Sequence, residues 1–242
     1  MVPGRTRRWS LLLGTLVLAG LASTASAQGP APVVPAAPVA GATAPAQLVY
    51  VRLTTSAGAI TLELDKAHAP LTVANFLKYV DAKRMDGAVF YRAMHLDGDH
   101  QGLLQGGVRD GAKLLPPVAH EPTSKTGILH KAGTISMARF APGSATADFL
   151  ILLSDMPSLD AEPGNSGTDP GAGFAAFGHV VDGMETVHAI WGMPRSATKG
   201  EGVMKGEILE NEVKIVAARR IAPPPPPTPQ AAPSPAPAPA TL

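Results

Sequence analysis

The 242-residue chain contains no cysteine. This absence excludes disulfide bonds, zinc sites built from thiolates and a lipid-anchored cysteine. Aromatic residues make up only 5% of the sequence, and the charges nearly cancel, to a formal net charge of +1. A near-neutral chain gives no electrostatic reason to expect a nucleic-acid partner or an acidic membrane surface as a partner.

The N-terminal segment has the three parts of a secretory signal. Three arginines within residues 5–8 precede an apolar run over residues 11–22, and the small-residue motif Ala-Ser-Ala follows at 25–27. A run of 12 apolar residues is too short for a comfortable membrane span, which needs about 20. The pattern predicts a signal peptide over residues 1–27, cleaved after Ala27, and therefore a periplasmic or secreted protein. An uncleaved membrane anchor is the alternative.

Two proline-rich segments flank the part of the chain that can fold. Residues 28–47 carry five prolines and no charge, and residues 222–242 carry ten prolines, beginning with a run of five from Pro223. Such Ala/Pro segments favour extended polyproline conformations and cannot bury a core. We therefore expect an Ala/Pro-rich linker over 28–47, one folded domain over 48–220 and a proline-rich disordered tail over 221–242.

The first half of this domain shows clear hydrophobic periodicity. Residues 48–54 and 60–64 alternate with period two on either side of a Ser-Ala-Gly turn, which predicts a β-hairpin. Pro70 suits the first position of a helix. The apolar residues that follow it have helical spacing, at Val73, Phe76, Leu77 and Val80. We therefore expect an amphipathic helix after the hairpin.

The rest of the domain reads as short strands and one more helix. Strands are predicted at residues 88–94, 103–105, 133–138, 148–153, 174–181 and 212–217. Asp182 and Glu185 resemble a capping box, with Asp in place of Ser or Thr, that opens a helix. That helix should turn inward the side chains of Met184, Val187 and Trp191. Many short strands with two helices predict either a closed antiparallel barrel capped by helices or a β-sandwich.

One polar stretch contains the residue types of a metal site. His95, Asp97, Asp99 and His100 lie within six residues. An Asp-Gly-Asp sequence is also typical of a turn, and the stretch has neither the spacing of a calcium loop nor a pair of histidines on a helix. We predict an exposed loop here, with no metal and no cofactor.

Arg92 is the other unusual residue, because it lies among apolar neighbours. In a regular strand, Phe90, Arg92 and Met94 share one face, whereas Tyr91 and Ala93 share the other. A guanidinium on an apolar face keeps its charge and needs hydrogen-bond partners, so a structural and a chemical role both remain open. The sequence shows no pair of catalytic carboxylates and no Ser/His/Asp order.

Seven fragments, taken together and in order, carry a family resemblance. They are spread over nearly all of residues 48–220 and read VRLTTSAGAITLELDKAHAPLTVANFLKYV, FYRAM, LLQGGV, GTISMAR, ADFLILL, FAAFGHVVDGMETVHAI and GEGVMKGEILENEVKI. The domain resembles a cyclophilin, the cyclosporin-binding class of peptidyl-prolyl cis-trans isomerases, and most resembles the short bacterial members. The resemblance implies a mainly β fold, a closed eight-stranded antiparallel barrel capped by two α-helices.

The resemblance also implies a catalytic arginine. Residues 90–92, Phe-Tyr-Arg, match the family motif Phe-His-Arg with Tyr for His, and residues 105–107 match Gln-Gly-Gly in full. About five residues more than the family spacing separate the two motifs, and they coincide with HLDGD at 95–99, which we interpret as a loop insertion. By this match Arg92 is the catalytic residue, and Gln105 is the residue that steadies it.

Further residues are assigned to the substrate groove by the same resemblance. The full set of substrate-binding candidates is Phe90, Leu103, Gln105, Ala138, Arg139, Asp148, Leu150 and Phe174. Several depart from the family pattern: Asp148 replaces a glutamine, Leu150 a phenylalanine that floors the proline pocket, Phe174 a histidine and Arg139 an asparagine. Fewer aromatic rings leave less stacking area for a proline ring, which predicts weaker peptide binding.

The resemblance implies catalysis of X-Pro bond rotation without a covalent intermediate. The expected partners are proline-containing segments of unfolded or folding exported proteins, with no nucleic acid, no membrane contact beyond the signal peptide, and a monomeric enzyme. A binding module or holdase chaperone with little turnover is the alternative, since the substituted pocket could hold a proline segment without accelerating its rotation.

Overall fold

The structure, a computed structural model, describes residues 47–96, 101–165, 167 and 171–225. The predicted signal peptide and most of the predicted linker and tail lie outside the described residues. The described part of the domain contains eight strands: β1 (Leu48–Thr55), β2 (Gly58–Asp65), β3 (Val89–His95), β4 (Gly102–Gly107), β5 (Thr134–Met137), β6 (Phe149–Leu152), β7 (Ala175–Asp182) and β8 (Ile208–Ile221). Its helices are α1 (Pro70–Asp81), α2 (Thr123–Thr126) and α3 (Met184–Trp191).

The strands form a closed antiparallel barrel in the order β1-β2-β7-β5-β6-β4-β3-β8. Closure depends on β8, which pairs with β1 along one edge and with β3 along the other. The predicted eight-stranded barrel is therefore confirmed, and the sandwich alternative is wrong. The four-residue helix α2 was not predicted, because it is too short to show a periodic pattern.

The predicted hairpin and first helix are both present. β1 and β2 pair from Leu48 opposite Asp65 to Thr55 opposite Gly58. Pro70 occupies the start of α1, where its missing N–H costs nothing because that position has no intrahelical partner. All four apolar positions predicted for the core face of the helix are buried, namely Val73, Phe76, Leu77 and Val80.

The start of α1 is capped from a distant part of the chain. Ala69, the residue before the helix, has no side-chain acceptor, and the carboxylate of Glu121 takes that place. Its Oε2 accepts from the backbone N–H of Thr72 at 2.7 Å and from the Thr72 hydroxyl at 2.7 Å, and its Oε1 accepts from the N–H of Leu71 at 3.2 Å. A carboxylate is the favourable charge for a helix N-terminus.

Four phenylalanines fill the centre of the barrel. Phe76 of α1 packs against Phe149 and Phe177, with ring centroids 5.7 and 5.4 Å apart, and Phe90 meets Phe149 at 5.7 Å. These are the edge-to-face and tilted arrangements that aromatic pairs prefer. A sequence with only six phenylalanines thus uses most of them to fix the interior of the barrel.

Two boundaries differ from the sequence predictions. Helix α3 begins at Met184 with Gly183 as its N-cap and no side-chain cap bond, so the predicted capping box at Asp182 is wrong. Gly183 has φ 87°, and a Cβ there would lie 2.2 Å from the carbonyl oxygen of Ala59, so close packing on the hairpin decides this boundary. Strand β8 is 14 residues long, far longer than the predicted 212–217.

The inward face predicted for α3 is present, with Val187 and Trp191 buried and Met184 packed against the core. Of the helices in the described ranges, none has the length and hydrophobicity needed to span a membrane.

Candidate active site

The side chain of Arg92 lies outside the barrel interior because strand β3 contains a β-bulge. Phe90 pairs with Gly106 of β4 and Arg92 pairs with Gln105, so Tyr91 is an extra residue on β3. A bulge breaks the strict alternation of side chains. Phe90 and Ala93 therefore point into the core, whereas Tyr91 and Arg92 both lie outside it.

The predicted shared face of Phe90 and Arg92 is wrong for this reason. Phe90 has no exposed surface and packs on Phe149 inside the barrel. It therefore has nothing to present to a substrate. Its ring instead explains one glycine of the Gln-Gly-Gly motif, because a Cβ at Gly106 would lie 2.8 Å from that ring.

Two acceptors hold the Arg92 guanidinium. Its Nε donates to Oε2 of Glu207 at 2.7 Å, its Nη2 lies in ion-pair contact with the same oxygen at 2.7 Å, and its Nη1 donates to Oε1 of Gln105 at 2.8 Å. The Arg92 side chain is 12% exposed, so the group is fixed but still reaches the surface. A guanidinium has five N–H donors. The two hydrogen bonds use the N–H of Nε and one N–H of Nη1, which leaves N–H groups on both Nη1 and Nη2.

A chain of hydrogen bonds continues from Gln105 away from the arginine. The Gln105 amide nitrogen donates to the Tyr91 hydroxyl at 2.5 Å, and that hydroxyl donates to Oδ2 of Asp148 at 2.7 Å. The contact between Gln105 and Arg92 that the resemblance implied is present. Asp148, another candidate, is thus linked to the arginine through Tyr91 and Gln105.

Asp148 is held tightly enough to require a glycine opposite it. A Cβ at Gly107 would lie 1.9 Å from Oδ1 of Asp148 and 2.8 Å from its Cα, distances that atoms do not adopt. The second glycine of the Gln-Gly-Gly motif is therefore needed for the close approach of β4 to Asp148. The motif as a whole supplies one acceptor for Arg92 and two places without a side chain.

The electrostatics of this network follow from its burial. Burial raises the pKa of the Asp148 carboxyl above its usual range, and the hydrogen bond from Tyr91 and the charge of Arg109 only partly oppose this. Burial also raises the pKa of the Tyr91 phenol, with the neighbouring Asp148 charge adding to the effect. The guanidinium carbon of Arg109 lies 4.4 Å from the centroid of the Tyr91 ring, a cation–π contact. Tyr91 is therefore a neutral donor at neutral pH.

We expect Asp148→Asn to stabilise the protein increasingly as the pH rises from about pH 4. A folded-state pKa above the unfolded value means that the contribution of Asp148 to stability is fully present below the unfolded pKa and is lost as the pH rises through the folded pKa. Asparagine does not titrate and still accepts from Tyr91. The melting temperatures of both proteins between about pH 4 and pH 8 measure the difference.

Asp155→Asn is the matched control for Asp148→Asn. Asp155 is exposed, and its hydrogen bond from Lys131 lowers its pKa, so its contribution is present above the unfolded pKa and is lost as the pH falls. Relative to wild type, the melting temperature of Asp148→Asn should therefore rise as the pH increases, whereas that of Asp155→Asn should fall. A gap between Asp148→Asn and wild type that stays constant across the series would contradict the assignment.

The apolar candidates form a cluster on the outer side of the barrel. Leu103 and Leu150 are each 4% exposed and belong to this outer cluster, whose remaining members are Leu152, Met156, Met94, Ala138 and Leu159. Leu150 pairs with Gln105 across β4 and β6, so the cluster borders the residue that binds Arg92. Three of the predicted groove residues, Leu103, Ala138 and Leu150, are thus brought together.

Arg139 and Phe174 contact each other rather than standing apart. The guanidinium carbon of Arg139 lies 5.1 Å from the centroid of the Phe174 ring. Its Nε donates to the carbonyl of Gly173 at 2.9 Å, and its Nη1 donates to the carbonyl of Phe140 at 2.8 Å. The Arg139 guanidinium is therefore held by neighbouring carbonyl groups and by the Phe174 ring.

A groove of about 580 Å³ opens beside this network. The candidates that line it are Gln105, Ala138, Arg139 and Asp148. Arg92 is not among the residues that line it; Arg92 is joined to the groove through its hydrogen bond to Gln105, which in turn pairs with Leu150 of the outer cluster. Sequence reasoning did not place Tyr91, Arg109 or Phe140 in the lining. Phe140 is 93% exposed, but no spacing or periodicity distinguishes it in the sequence.

The fold contains a hydrogen-bonded Ser/His/Asp chain that the sequence did not predict. Nδ1 of His130 lies 2.7 Å from Oδ1 of Asp160, and its Nε2 lies 2.8 Å from Oγ of Ser136. Burial lowers the pKa of His130, and Asp160 opposes the shift. Ser136 is 0% exposed and His130 is 1% exposed, so no substrate can reach the hydroxyl. The three side chains form a hydrogen-bonded chain in which His130 and Ser136 are buried.

The polar stretch at residues 95–100 is described only in part. The His95 ring stacks on Trp191, with centroids 3.6 Å apart, and its Nε2 lies 3.1 Å from the Trp191 carbonyl oxygen. Asp97, Asp99 and His100 lie outside the described residues, so the exposed loop stays a prediction. Within the described ranges, no three acidic or histidine side chains come together as a metal site.

The fold and sequence have clear relatives. The family model "Cyclophilin type peptidyl-prolyl cis-trans isomerase/CLD" matches residues 50–219. The chain is 37% identical over 155 residues to the peptidyl-prolyl cis-trans isomerase cyp18 of Streptomyces antibioticus, covering 62% of this chain and 87% of that protein. It is 32% identical over 170 residues to the peptidyl-prolyl cis-trans isomerase of Acinetobacter baylyi, covering 70% of this chain and 84% of that protein.

A solved structure supports the same assignment at the level of the fold. The cyclophilin-type isomerase of Cryptosporidium parvum superimposes with a TM-score of 0.56 at 20% identity, covering 73% of this chain and 99% of that one. The family resemblance predicted from the sequence is confirmed. The chain belongs to the cyclophilin family and is a peptidyl-prolyl cis-trans isomerase.

Proposed function

We propose that Arg92 accelerates X-Pro rotation by donating a hydrogen bond to the prolyl nitrogen in the twisted transition state. Rotation about an X-Pro bond crosses a barrier of roughly 18–20 kcal/mol because amide resonance must be broken. In the twisted state the nitrogen becomes pyramidal and regains a lone pair. A donor aimed at that lone pair binds the transition state more strongly than either planar ground state, which is the condition for catalysis.

This proposal rests on how the Arg92 guanidinium is held by its neighbours. Glu207 and Gln105 fix Arg92 with two hydrogen bonds and an ion-pair contact, and N–H groups on Nη1 and Nη2 donate no hydrogen bond within the described residues. A donor held in place before the reaction costs no reorganisation when charge develops. The outer cluster, which begins next to Gln105 at Leu150, supplies an apolar surface for the proline ring.

The size of the rate acceleration sets the transition-state stabilisation that Arg92 and the rest of the site must supply. An acceleration of about 10⁵ corresponds to roughly 7 kcal/mol. One preorganised donor typically supplies about 3–4 kcal/mol. The remainder is assigned to positioning of the peptide in the groove and to exclusion of water around the bond. The mechanism needs no nucleophile, no proton transfer and no cofactor.

The test of this function is an isomerisation assay on a short X-Pro peptide, with peptide binding measured in parallel. We expect the full chain to accelerate the exchange between the cis and trans forms. Binding without acceleration would contradict the proposal and would favour the holdase, for which the replacement of pocket aromatics by Leu150 is the supporting feature.

We further propose that the protein acts outside the cytoplasm, in the periplasm or secreted, as a monomer on proline-containing segments of exported chains. The support is the basic, apolar and small-residue order of residues 1–27. N-terminal sequencing of the native protein should find a mature chain that starts at Gln28. A mature chain that starts at Met1 and fractionates with the cytoplasm would refute export.

A further inference from the structure

Glu207 contacts the proposed catalytic residue more closely than any candidate taken from the sequence. Nε of Arg92 donates to its Oε2 at 2.7 Å, and Nη2 lies in ion-pair contact with the same oxygen, also at 2.7 Å. The Glu207 side chain is 19% exposed and that of Arg92 is 12% exposed, so water screens the pair only partly. The two residues are 115 positions apart in the chain, and no motif in the sequence joins them.

The backbone of Glu207 is held as firmly as its side chain. The N–H of Ala93, next to Arg92, donates to the Glu207 carbonyl at 2.8 Å, and the Glu207 N–H donates to the carbonyl of Met204 at 3.0 Å. Two glycines shape the turn that delivers it. Gly206 has φ 81°, and Gly200 has φ 93° with space for no side chain, since a Cβ there would lie 2.3 Å from the Met204 carbonyl oxygen.

We propose that Glu207 is a positioning residue for Arg92: it holds the guanidinium so that the remaining N–H groups, on Nη1 and Nη2, face the substrate. The inference rests on the proposed role of Arg92. An unpaired arginine side chain has many rotamers, and fixing it in advance removes that freedom before the reaction. The hydrogen bond and the ion-pair contact to Glu207 are both made along one edge of the planar group, which leaves the opposite corner for a ligand.

The ion pair between Arg92 and Glu207 also affects the charge of the site. Glu207 cancels the charge of Arg92, so the site should recognise the prolyl bond by directed N–H groups and not by a net positive field. Peptide binding by the wild-type protein should therefore change little with salt. Removal of the carboxylate leaves an uncompensated guanidinium, and binding of acidic peptides should become stronger and salt-dependent.

The experiment compares Glu207→Ala and Glu207→Gln in the full chain. We expect Glu207→Ala to lower kcat about 10- to 100-fold, the cost of a misplaced catalytic group, while the Kd of a neutral X-Pro peptide changes less than about threefold. Glu207→Gln should restore part of kcat, because its amide oxygen still accepts from Nε. The glutamine variant also keeps the test decisive if Glu207→Ala does not fold.

Glu210→Ala is the matched control. Glu210 lies three residues further on, and its side chain is 51% exposed, 3.7 Å from the ammonium group of Lys199. This variant should keep the kcat of the wild-type protein. Equal losses in the Glu210 and Glu207 variants would show an effect of surface charge only and would overturn the inference.

A double variant separates this inference from the proposed function. If Glu207 acts through Arg92, Arg92→Ala with Glu207→Ala should turn over as slowly as Arg92→Ala alone. Independent, multiplied losses would contradict a positioning role, and so would a normal kcat in Glu207→Ala. Normal turnover in Arg92→Ala is a different result: it would refute the proposed role of the arginine itself.

Discussion

Arg92→Ala should lower the turnover of an X-Pro peptide about 10²- to 10³-fold, or roughly 3–4 kcal/mol, while peptide affinity changes little. The N–H groups of Arg92 meet a good acceptor only when the prolyl nitrogen has its lone pair, in the twisted state. Their loss therefore affects the transition state and leaves ground-state binding largely intact. Isomerisation rates at saturating peptide and the Kd of the same peptide give the two quantities.

A structural role for Arg92 makes a different forecast. Removing the guanidinium leaves the amide oxygen of Gln105 and the carboxylate of Glu207 without their partner, which lowers stability by about 1–3 kcal/mol per buried group. Under that reading the folded fraction keeps its activity. A melting curve for each sample therefore accompanies the rates, and rates are compared well below the melting temperature.

Glu121→Ala should lower the free energy of unfolding by about 3 kcal/mol without changing kcat. Glu121 is 1% exposed, and its carboxylate accepts the N–H groups of Leu71 and Thr72 and the Thr72 hydroxyl. Alanine leaves the two donors of Thr72 buried without a partner, at about 1–3 kcal/mol for each unsatisfied group. For a domain of this size the melting temperature should fall by about 10 °C.

Two variants control for the Glu121 result. Glu121→Gln keeps one acceptor oxygen and should cost less than alanine. Glu185→Ala removes an exposed glutamate from the first turn of α3 and should change the free energy of unfolding by less than about 0.5 kcal/mol. A Glu121→Ala protein that unfolds within about 1 kcal/mol of wild type would show that water replaces the carboxylate, and the capping role would be wrong.

Local periodicity predicted the parts of the fold whose causes are local. The β1–β2 hairpin and the inward face of α1 follow from alternation and from helical spacing, and both are present. Barrel closure does not follow from periodicity, since it depends on β8 reaching both β1 and β3. Only the family resemblance distinguished the barrel from a sandwich.

The errors arise where contacts distant in sequence decide the geometry. Alternation placed Phe90 beside Arg92, but the bulge at Tyr91 separates them. A capping box at Asp182 satisfied the sequence pattern, but the close approach of Gly183 to Ala59 moved the start of α3 by one residue. Periodicity contains no information about either contact.

In the candidate site, too, local motifs were predicted and contacts between residues distant in sequence were not. Motif matching found Arg92 and Gln105, which the structure joins by a hydrogen bond. It did not find Glu207, because an ion pair across 115 positions has no signature in a single sequence. The buried Ser136, His130 and Asp160 chain was missed for the same reason, since its members meet only when β5 and the segment after β6 come together.

Arg92→Lys tests most directly whether directed N–H groups, and not positive charge, stabilise the twisted state. Lysine keeps the charge and loses the planar fork that Glu207 and Gln105 hold. The measurement is the cis-trans exchange rate of a bound X-Pro peptide at saturation, with its Kd measured on the same folded sample. The proposed mechanism predicts a loss of at least about tenfold in rate with a Kd within about threefold of wild type. A lysine variant that turns over at the wild-type rate would contradict it.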